Sequence, residues 1–281
     1  MAKWYKKITE GIPSPKIFKK EVDSKGVDKC PVCGYQTNFE KLSDNSFVCK
    51  CGHHFRITSA EYFNILFDNN DYNFLFESIQ AIDVLGFTDI TSYSAKLSRT
   101  QQKTGIDEAF SVAEGKMGNY TVVVGAMDFE FIGGTMGSVM GEKIRLASDY
   151  CIQNHLPFII VSKSGGARLM EGMYSLMQMV KTSLATLKLS ENKIPFVSIL
   201  TDPVMGGVTA SFGMVADFVL AEPNALIGYT GPRIIKESTG KEPPKDFQTT
   251  EFLFKNGFID LIVPRTELRS KVTQILDFLK N

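Results

Sequence analysis

Three times after Tyr120 the chain passes through one pattern: a short β-rich run, a Gly-Gly pair, then residues with helical periodicity. No other feature restricts the fold as much. Tyr120–Val124 and Phe129–Ile132 read as strands before Gly133-Gly134, and a helix is expected from Ser138 to Gln153. Phe158–Ser162 precedes Gly165-Gly166 and a long helix. Phe196–Leu200 precedes Gly206-Gly207 and a shorter helical run to Ala216. Phe218–Ala221 and Ala225–Ile227 read as further strands. Strands alternating with helices imply an α/β layered core. The repeat is one of structure, not of residues. In the long helix Leu169, Met173, Leu176, Met177, Val180, Leu184 and Leu187 fall at steps of three and four, one apolar stripe. The methionines there, Met170, Met173, Met177 and Met179, are expected to pack in the core. The last helix puts Leu268, Val272, Ile275, Leu276 and Leu279 on one face.

The start of the chain differs in kind. Residues 1–58 hold 11 basic and 6 acidic residues, whereas the rest hold 20 and 25, so a chain of zero net charge is basic at one end only. A whole-chain polyelectrolyte binder is excluded. Residues 1–29, with Pro13, Pro15 and Lys19-Lys20, read as a flexible or extended lead-in. Residues 30–56 form a cysteine module. A connector over 59–115 leads into the α/β part, with one helix around Tyr62, Ile65, Leu66 and Phe67. No apolar run approaches the roughly 18 residues of a membrane span. No apolar stretch follows Lys6-Lys7, so no signal peptide is expected, and a cytoplasmic protein is the reading.

Five cysteines are present, and four lie between Cys30 and Cys51. Cys30-Pro31-Val32-Cys33-Gly34 and Cys49-Lys50-Cys51-Gly52 have the spacing of a zinc ribbon, a metal-site pattern rather than a secreted disulfide framework. Four thiolates would fill a tetrahedral ion completely, so a structural role is expected. The second pair is C-x-C, one residue short. It leaves open whether Cys49 is a ligand or His53 or His54 replaces it.

Two turns carry candidate chemistry. Ser164-Gly165-Gly166-Ala167-Arg168 lies between strand and helix, where glycines admit close backbone approach and helix N–H groups favour negative charge. Asp202-Pro203-Val204-Met205-Gly206-Gly207 is similar, and two consecutive N–H groups can make an oxyanion hole. Neither a Walker A loop nor G-x-G-x-x-G is present. Of three histidines, two belong to the cysteine module, and His155 sits in a helix-ending turn. A Ser-His-Asp hydrolase is therefore poorly supported. Glu142 and Glu171 read as helix-capping residues or as acid/base candidates.

Read in order, further motifs join these: Gln101-Gln102-Lys103-Thr104-Gly105, Gly137-Ser138-Val139-Met140-Gly141-Glu142-Lys143, and Ser175-Leu176-Met177-Gln178-Met179. Gly206-Gly207-Val208-Thr209-Ala210-Ser211-Phe212, Glu222-Pro223-Asn224-Ala225-Leu226-Ile227-Gly228 and Phe247-Gln248 follow. From about residue 28 to the C-terminus the chain resembles the β subunits of bacterial acetyl-CoA carboxylase carboxyltransferase. The resemblance implies a crotonase-like (ClpP/crotonase) α/β fold of repeated ββα units over 57–281, with a small N-terminal zinc ribbon over 30–56. It implies an α2β2 assembly with a carboxyltransferase α subunit, served by a biotin carboxyl carrier protein and a biotin carboxylase. The implied reaction is transfer of the carboxyl group from carboxybiotin to acetyl-CoA, giving malonyl-CoA for fatty-acid biosynthesis. By the same resemblance Gly206 and Gly207 hold the thioester oxygen, and Gly165, Gly166, Ala167 and Arg168 approach CoA. Cys30, Cys33, Cys49 and Cys51 would hold structural zinc. A second oxyanion hole, for biotin, would belong to the α subunit, and anionic biotin would take the proton. The departures are the C-x-C pair, Lys163 where a small residue is usual, and Val204 before the glycines.

Two other readings stand beside this one. Another acyl-CoA enzyme of the same fold, such as a hydratase, would need Glu142 or Glu171 aimed at the thioester carbons. Alternatively, the basic cysteine module would be a nucleic-acid-binding zinc ribbon, with steep salt dependence.

Overall fold

The structure, a computed structural model, describes residues 27–280. The lead-in expected over residues 1–29 lies outside them except for its last three residues. Those three form strand β1 (Val27–Lys29), paired antiparallel with β2 (Gln36–Asn38). A boundary between two compact units falls between Phe55 and Arg56. In the first unit, α1 (Phe39–Ser43) follows β2. Asn38 caps it by accepting a hydrogen bond from Lys41 N, which meets one of the donors a helix start leaves open.

The second unit is built on an eight-stranded sheet among the described residues. Its strands are β3 (Tyr72–Leu75), β4 (Phe110–Met117), β5 (Tyr120–Met127), β6 (Phe158–Ser164), β7 (Phe196–Met205), β8 (Phe218–Ala221), β9 (Ile227–Gly228) and β10 (Leu261–Ile262). The order is β10-β8-β7-β6-β5-β4-β3, with β9 pairing β7 beyond the reach of β8. From β5 to β10 the neighbours are parallel; β3, β4 and β5 form an antiparallel meander. Parallel strands need crossovers, and the helices supply them. α4 (Ser138–Asn154) joins β5 to β6, and α5 (Gly172–Glu191) joins β6 to β7. Every residue of β6 is buried, as expected of a strand covered on both faces.

The other helices are α2 (Ser59–Leu66), α3 (Tyr93–Thr104), the single turn α6 (Gly206–Val208), α7 (Pro232–Thr239), α8 (Thr250–Lys255) and α9 (Leu268–Lys280). Thr58 and Glu61 cap α2 reciprocally, the arrangement that meets two open donors at once. α9 buries Leu268, Val272, Ile275 and Leu276, the face its sequence predicts; Leu279 stays exposed.

Three expectations are corrected. Residues 129–131 are a turn, not a strand: Asp128 N still bonds Ala109 O beside the β4–β5 ladder, but Phe131 N then closes onto Asp128 O. The strand after β8 begins at Ile227 rather than Ala225. The third concerns α5. Its apolar stripe faces outward: Leu169, just before it, is 83% exposed, Met173 65% and Leu184 55%, and Leu176, Met177, Val180 and Leu187 are also exposed. The buried face carries Ser175, Gln178, Thr182, Ala185, Thr186 and Leu189. Of the four methionines, Met173 and Met177 therefore lie on the surface, not in the core. Among the described residues no helix is long and apolar enough to cross a membrane.

Candidate functional sites

In the first unit, the sulfurs of Cys30, Cys33, Cys49 and Cys51 all lie within 4.8 Å of one another. Cys30 Sγ is 3.7 Å from Cys51 Sγ, and Cys33 Sγ is 3.7 Å from Cys49 Sγ. A tetrahedron with metal–sulfur arms of about 2.3 Å has edges of about 3.8 Å, so the cluster has the dimensions of a tetrathiolate metal site. The cysteines are free thiols. Two matched turns create the cluster: Gly34 N donates to Cys30 O at 2.9 Å, and Gly52 N donates to Cys49 O at 2.8 Å. Gly34 and Gly52 have φ of +71° and +87°, which glycine adopts without strain. The short C-x-C pair thus reaches the cluster. Neither histidine joins it: the His53 ring packs edge-on against Phe55, and His54 bridges Val48 in the backbone.

In the second unit, the ends of β5, β6 and β7 bring all three Gly-Gly turns together. Gly165 N donates to Gly133 O at 2.9 Å, and Ser164 Oγ donates to Gly134 O at 2.6 Å. A Cβ on Gly134 would stand 2.2 Å from Lys163 O, so only glycine fits there. Gly166 (φ +112°) and Gly206 (φ +60°) then abut. A Cβ on Gly206 would lie 3.2 Å from Gly166 Cα, and one on Gly166 would lie 3.5 Å from Gly206 Cα. Backbone of two separate crossovers meets here with no side chain between. Gly207 opens onto Met179 and Met136, whose Sδ and Cε would be 3.1 and 3.5 Å from an added Cβ. The helix after Gly206 is one α-turn that widens into a π-turn over Thr209–Gly213. Its dipole is short, so the local N–H groups carry the site's polarity rather than a long helix axis.

Arg168 does not present its side chain to a ligand. It is fully buried. Nη1 donates to Glu108 Oε2 at 2.8 Å, to Tyr93 Oη at 3.1 Å and to Glu171 Oε1 at 3.2 Å. Nη2 bonds Glu108 Oε1, and donates to Thr135 O at 2.8 Å. Burial works against the guanidinium's charge, but the Glu108 carboxylate outweighs it, so Arg168 stays protonated. Tyr93 Oη donates to Glu171 Oε1 at 2.6 Å, and burial holds its phenol well above the usual range. Arg168 therefore ties the 165–168 turn to Thr135 beside Gly133-Gly134. The Arg168 guanidinium is taken up wholly by these internal partners, which leaves the backbone of the 165–168 turn to face outward contacts.

Glu171 caps a helix, but a different one from its own. Its Oε2 accepts from Ser138 N, the first residue of α4, at 2.6 Å. Glu142 caps nothing. It pairs with Arg145 at 2.5 Å and Lys181 at 3.1 Å, and these hold its carboxyl below the usual range. Neither carboxylate is available as an acid/base at the glycine junction. Lys163 is buried, with Nζ donating to Ile57 O at 2.9 Å and lying 5.0 Å from the Tyr62 ring centre; burial pulls it down to about 8. Glu108, Tyr93 and Thr135 were invisible as site residues in the sequence, since each is an ordinary residue type with no motif. The repeated Gly-Gly pair was the only local signal of the junction.

Comparison with known proteins agrees with this picture. Residues 78–280 match the carboxyl transferase domain family. A protein of Pedobacter heparinus named acetyl-coenzyme A carboxylase carboxyl transferase subunit beta is 47% identical over 279 residues, 99% of each chain. One of the same name from Chlorobium limicola is 46% identical over 278 residues, again 99% of each. Among solved structures, a transcarboxylase 12S chain with hydrolysed methylmalonyl-coenzyme A superposes with a TM-score of 0.67 at 22% identity. The match covers 84% of this chain and 42% of that one. A Pseudomonas malonate decarboxylase heterodimer chain gives 0.61 at 22% identity, covering 82% and 87%. At these identities the structures speak to the fold alone, and the fold is crotonase-like.

Proposed function

This chain belongs to the family of acetyl-CoA carboxylase carboxyltransferase β subunits, and from that premise we propose how its residues divide the work. The reaction is transfer of a carboxyl group from carboxybiotin to acetyl-CoA, giving malonyl-CoA. Carboxybiotin, brought by a biotin carrier protein, supplies the carboxyl group. The acetyl methyl must lose a proton, which the biotin left anionic by release of its carboxyl group would take, and the thioester oxygen then carries enolate charge. Gly206 and Gly207 donate N–H groups to that oxygen, and the donors gain most where its charge is greatest, in the transition state. The 165–168 turn lies along CoA by its backbone at Gly165, Gly166 and Ala167, with Arg168 fixing the turn from behind. The observation that carries this reading is the Gly166–Gly206 approach, where a Cβ would meet backbone at 3.2 Å. The engagement of Glu142 and Glu171 elsewhere speaks against a hydratase-type side-chain base.

The test is Gly207→Val. A methyl at Gly207 meets only the movable ends of Met179 and Met136, but a branched side chain must displace them or turn the N–H away. Loss of one such donor costs on the order of 3 kcal/mol, about a hundredfold in turnover. CoA affinity should fall much less. Near-normal turnover in the folded variant overturns the assignment.

The outward stripe of α5 supports a partner subunit, and we assign that face to the α subunit, which supplies the biotin half of the site. The isolated chain is then inactive, and turnover without a partner would refute this. The cysteine cluster fits zinc held by four thiolates, a closed structural site with no position left for catalysis. Elemental analysis should give about one zinc per chain; a folded module without metal would contradict it. The domain division follows: a zinc ribbon over 30–56 and the carboxyltransferase domain over 57–281. Four reduced cysteines at such a site fit a cytoplasmic setting.

A further inference from the structure

Gln248 occupies its position at two costs. Its φ is +65°, a conformation glycine adopts freely and glutamine does not. Its side chain is only 7% exposed, and its Oε1 is buried with no hydrogen-bond partner among the described residues. A glycine here would shed both costs. Such penalties persist where the surroundings impose them and a site gains from them.

The gain is visible in what the carboxamide touches. Nε2 donates to Thr230 O at 3.0 Å. The amide lies flat on Gly228, where an added Cβ would fall 2.2 Å from Nε2 and 2.4 Å from Cδ. Gln248 O accepts from Ile227 N at 2.8 Å. Gln248 thus holds residues 227, 228 and 230 from one side. From the other side Thr209 Oγ1 donates to Gly228 O at 3.1 Å and to Val204 O at 3.0 Å. The clamped segment is β9, which pairs with Val204 and Met205 immediately before Gly206. Its next carbonyl, Tyr229 O, stands 3.8 Å from where a Gly206 Cβ would be. The turn that aims the Gly206 and Gly207 N–H groups therefore leans on β9, and β9 is held between Thr209 on one side and the Gln248 carboxamide on the other.

We propose that Gln248 is a positioning residue for the Gly206-Gly207 turn, setting the direction of its N–H groups through Gly228 and Thr230 without touching substrate. The inference rests on the oxyanion reading of that turn. It also explains why residue 228 is glycine: a methyl group there would evict the amide.

The test uses the full complex with its partner subunits and three variants, Gln248→Gly, Gly228→Ala and the double variant. Gln248→Gly removes the amide and relieves the φ strain, so melting temperature should change little. The turnover number should fall about ten- to a hundredfold, the size of effect that misplacement by up to about 1 Å produces, while KM for acetyl-CoA stays within about twofold. Gly228→Ala should lower turnover similarly by pushing the amide aside. In the double variant the methyl enters vacated space, so it should be no slower than Gln248→Gly alone, a coupling that a cycle measures directly. Parental turnover in Gln248→Gly, with Gly207→Val inactive, overturns this inference alone. Parental turnover in both overturns the oxyanion reading and this inference with it. A fall in stability with KM and turnover drifting together makes Gln248 merely structural and also overturns it. Strict additivity of the two single variants does the same.

Discussion

Helices α4 and α5 pack on each other and are patterned in opposite senses. α4 turns Val139, Met140, Ile144, Ala147 and Cys151 inward, the arrangement expected of a helix covering a sheet. α5 turns Ser175, Gln178, Thr182 and Thr186 inward, with Leu189, and leaves Met173, Leu176, Met177, Leu184 and Leu187 outside. Most of the inward polar groups find a partner; Gln178 Nε2 donates to Tyr174 O at 2.7 Å, while its Oε1 is buried without one. Ser175 Oγ donates to Met136 O at 2.9 Å, and Thr182 Oγ1 donates to Gln178 O at 2.9 Å. Small side chains also let the helices approach closely: a Cβ on Gly141 of α4 would stand 2.2 Å from Gln178 Oε1. The contrast teaches that an apolar stripe reports a covered face without saying what covers it. On α4 the cover is this chain. On α5 the cover we propose is the partner subunit, since contiguous apolar surface of this kind marks an interface.

Four experiments can break or sharpen this contrast. The largest effect belongs to α5. Leu176→Glu with Leu184→Glu should weaken binding of the α subunit by about a thousandfold or more, two interface positions at about 2 kcal/mol each. The lone chain should keep its stability within about 0.5 kcal/mol. Titration against the purified partner and thermal melts decide it; a lone chain that unfolds would mean that the stripe is core after all. On α4, Ile144→Ala should do the reverse, costing about 3 kcal/mol of stability while the folded fraction still binds the partner. Denaturant unfolding reads that cost, and a loss under about 1 kcal/mol would break the assignment.

The contact between the helices gives a smaller effect. Gly141→Ala should cost about 1–3 kcal/mol through overpacking against Gln178, although alanine is the better helix former. A stabilised variant would show that the helices can separate freely. The smallest effect concerns a polar group buried in the sheet rather than in α5. Burial holds Lys163 at about 8, whereas an unfolded lysine titrates near 10.4. The unfolded chain therefore binds this proton more tightly, and burying the charged amine costs stability below about pH 8. As pH rises from about 8 toward 10.4, that cost is relieved. The parent should gain on the order of 1–2 kcal/mol over Lys163→Met between pH 7.5 and 9.5. A constant difference across that range would mean that the amine is not desolvated.

Parts of the molecule were legible in one dimension. The four cysteines announced a metal-sized cluster because thiolate pairs and glycine knuckles act over a few residues. The alternation after Tyr120 gave the layered fold, and four of the five residues expected on the α9 face are buried, Leu279 being exposed. Phe129–Ile132 was misread because an apolar run resembles a strand until Phe131 N closes its turn onto Asp128 O. The internal bonding of Arg168 could not be read from the sequence, because nothing local reveals that Glu108, 60 residues earlier, pairs with its guanidinium.

By itself the sequence determined what is set by near neighbours: the helices and their stripes, the glycine turns and the cysteine spacing. Tertiary structure alone decided that Gly166 meets Gly206, that Arg168 and Gln248 work from behind their turns, and that α5 faces outward. The physical reason is range. Backbone conformation and periodicity are settled within a few residues, whereas burial and ion pairing belong to pairs of elements. The sequence does not record which face of an element its neighbour covers.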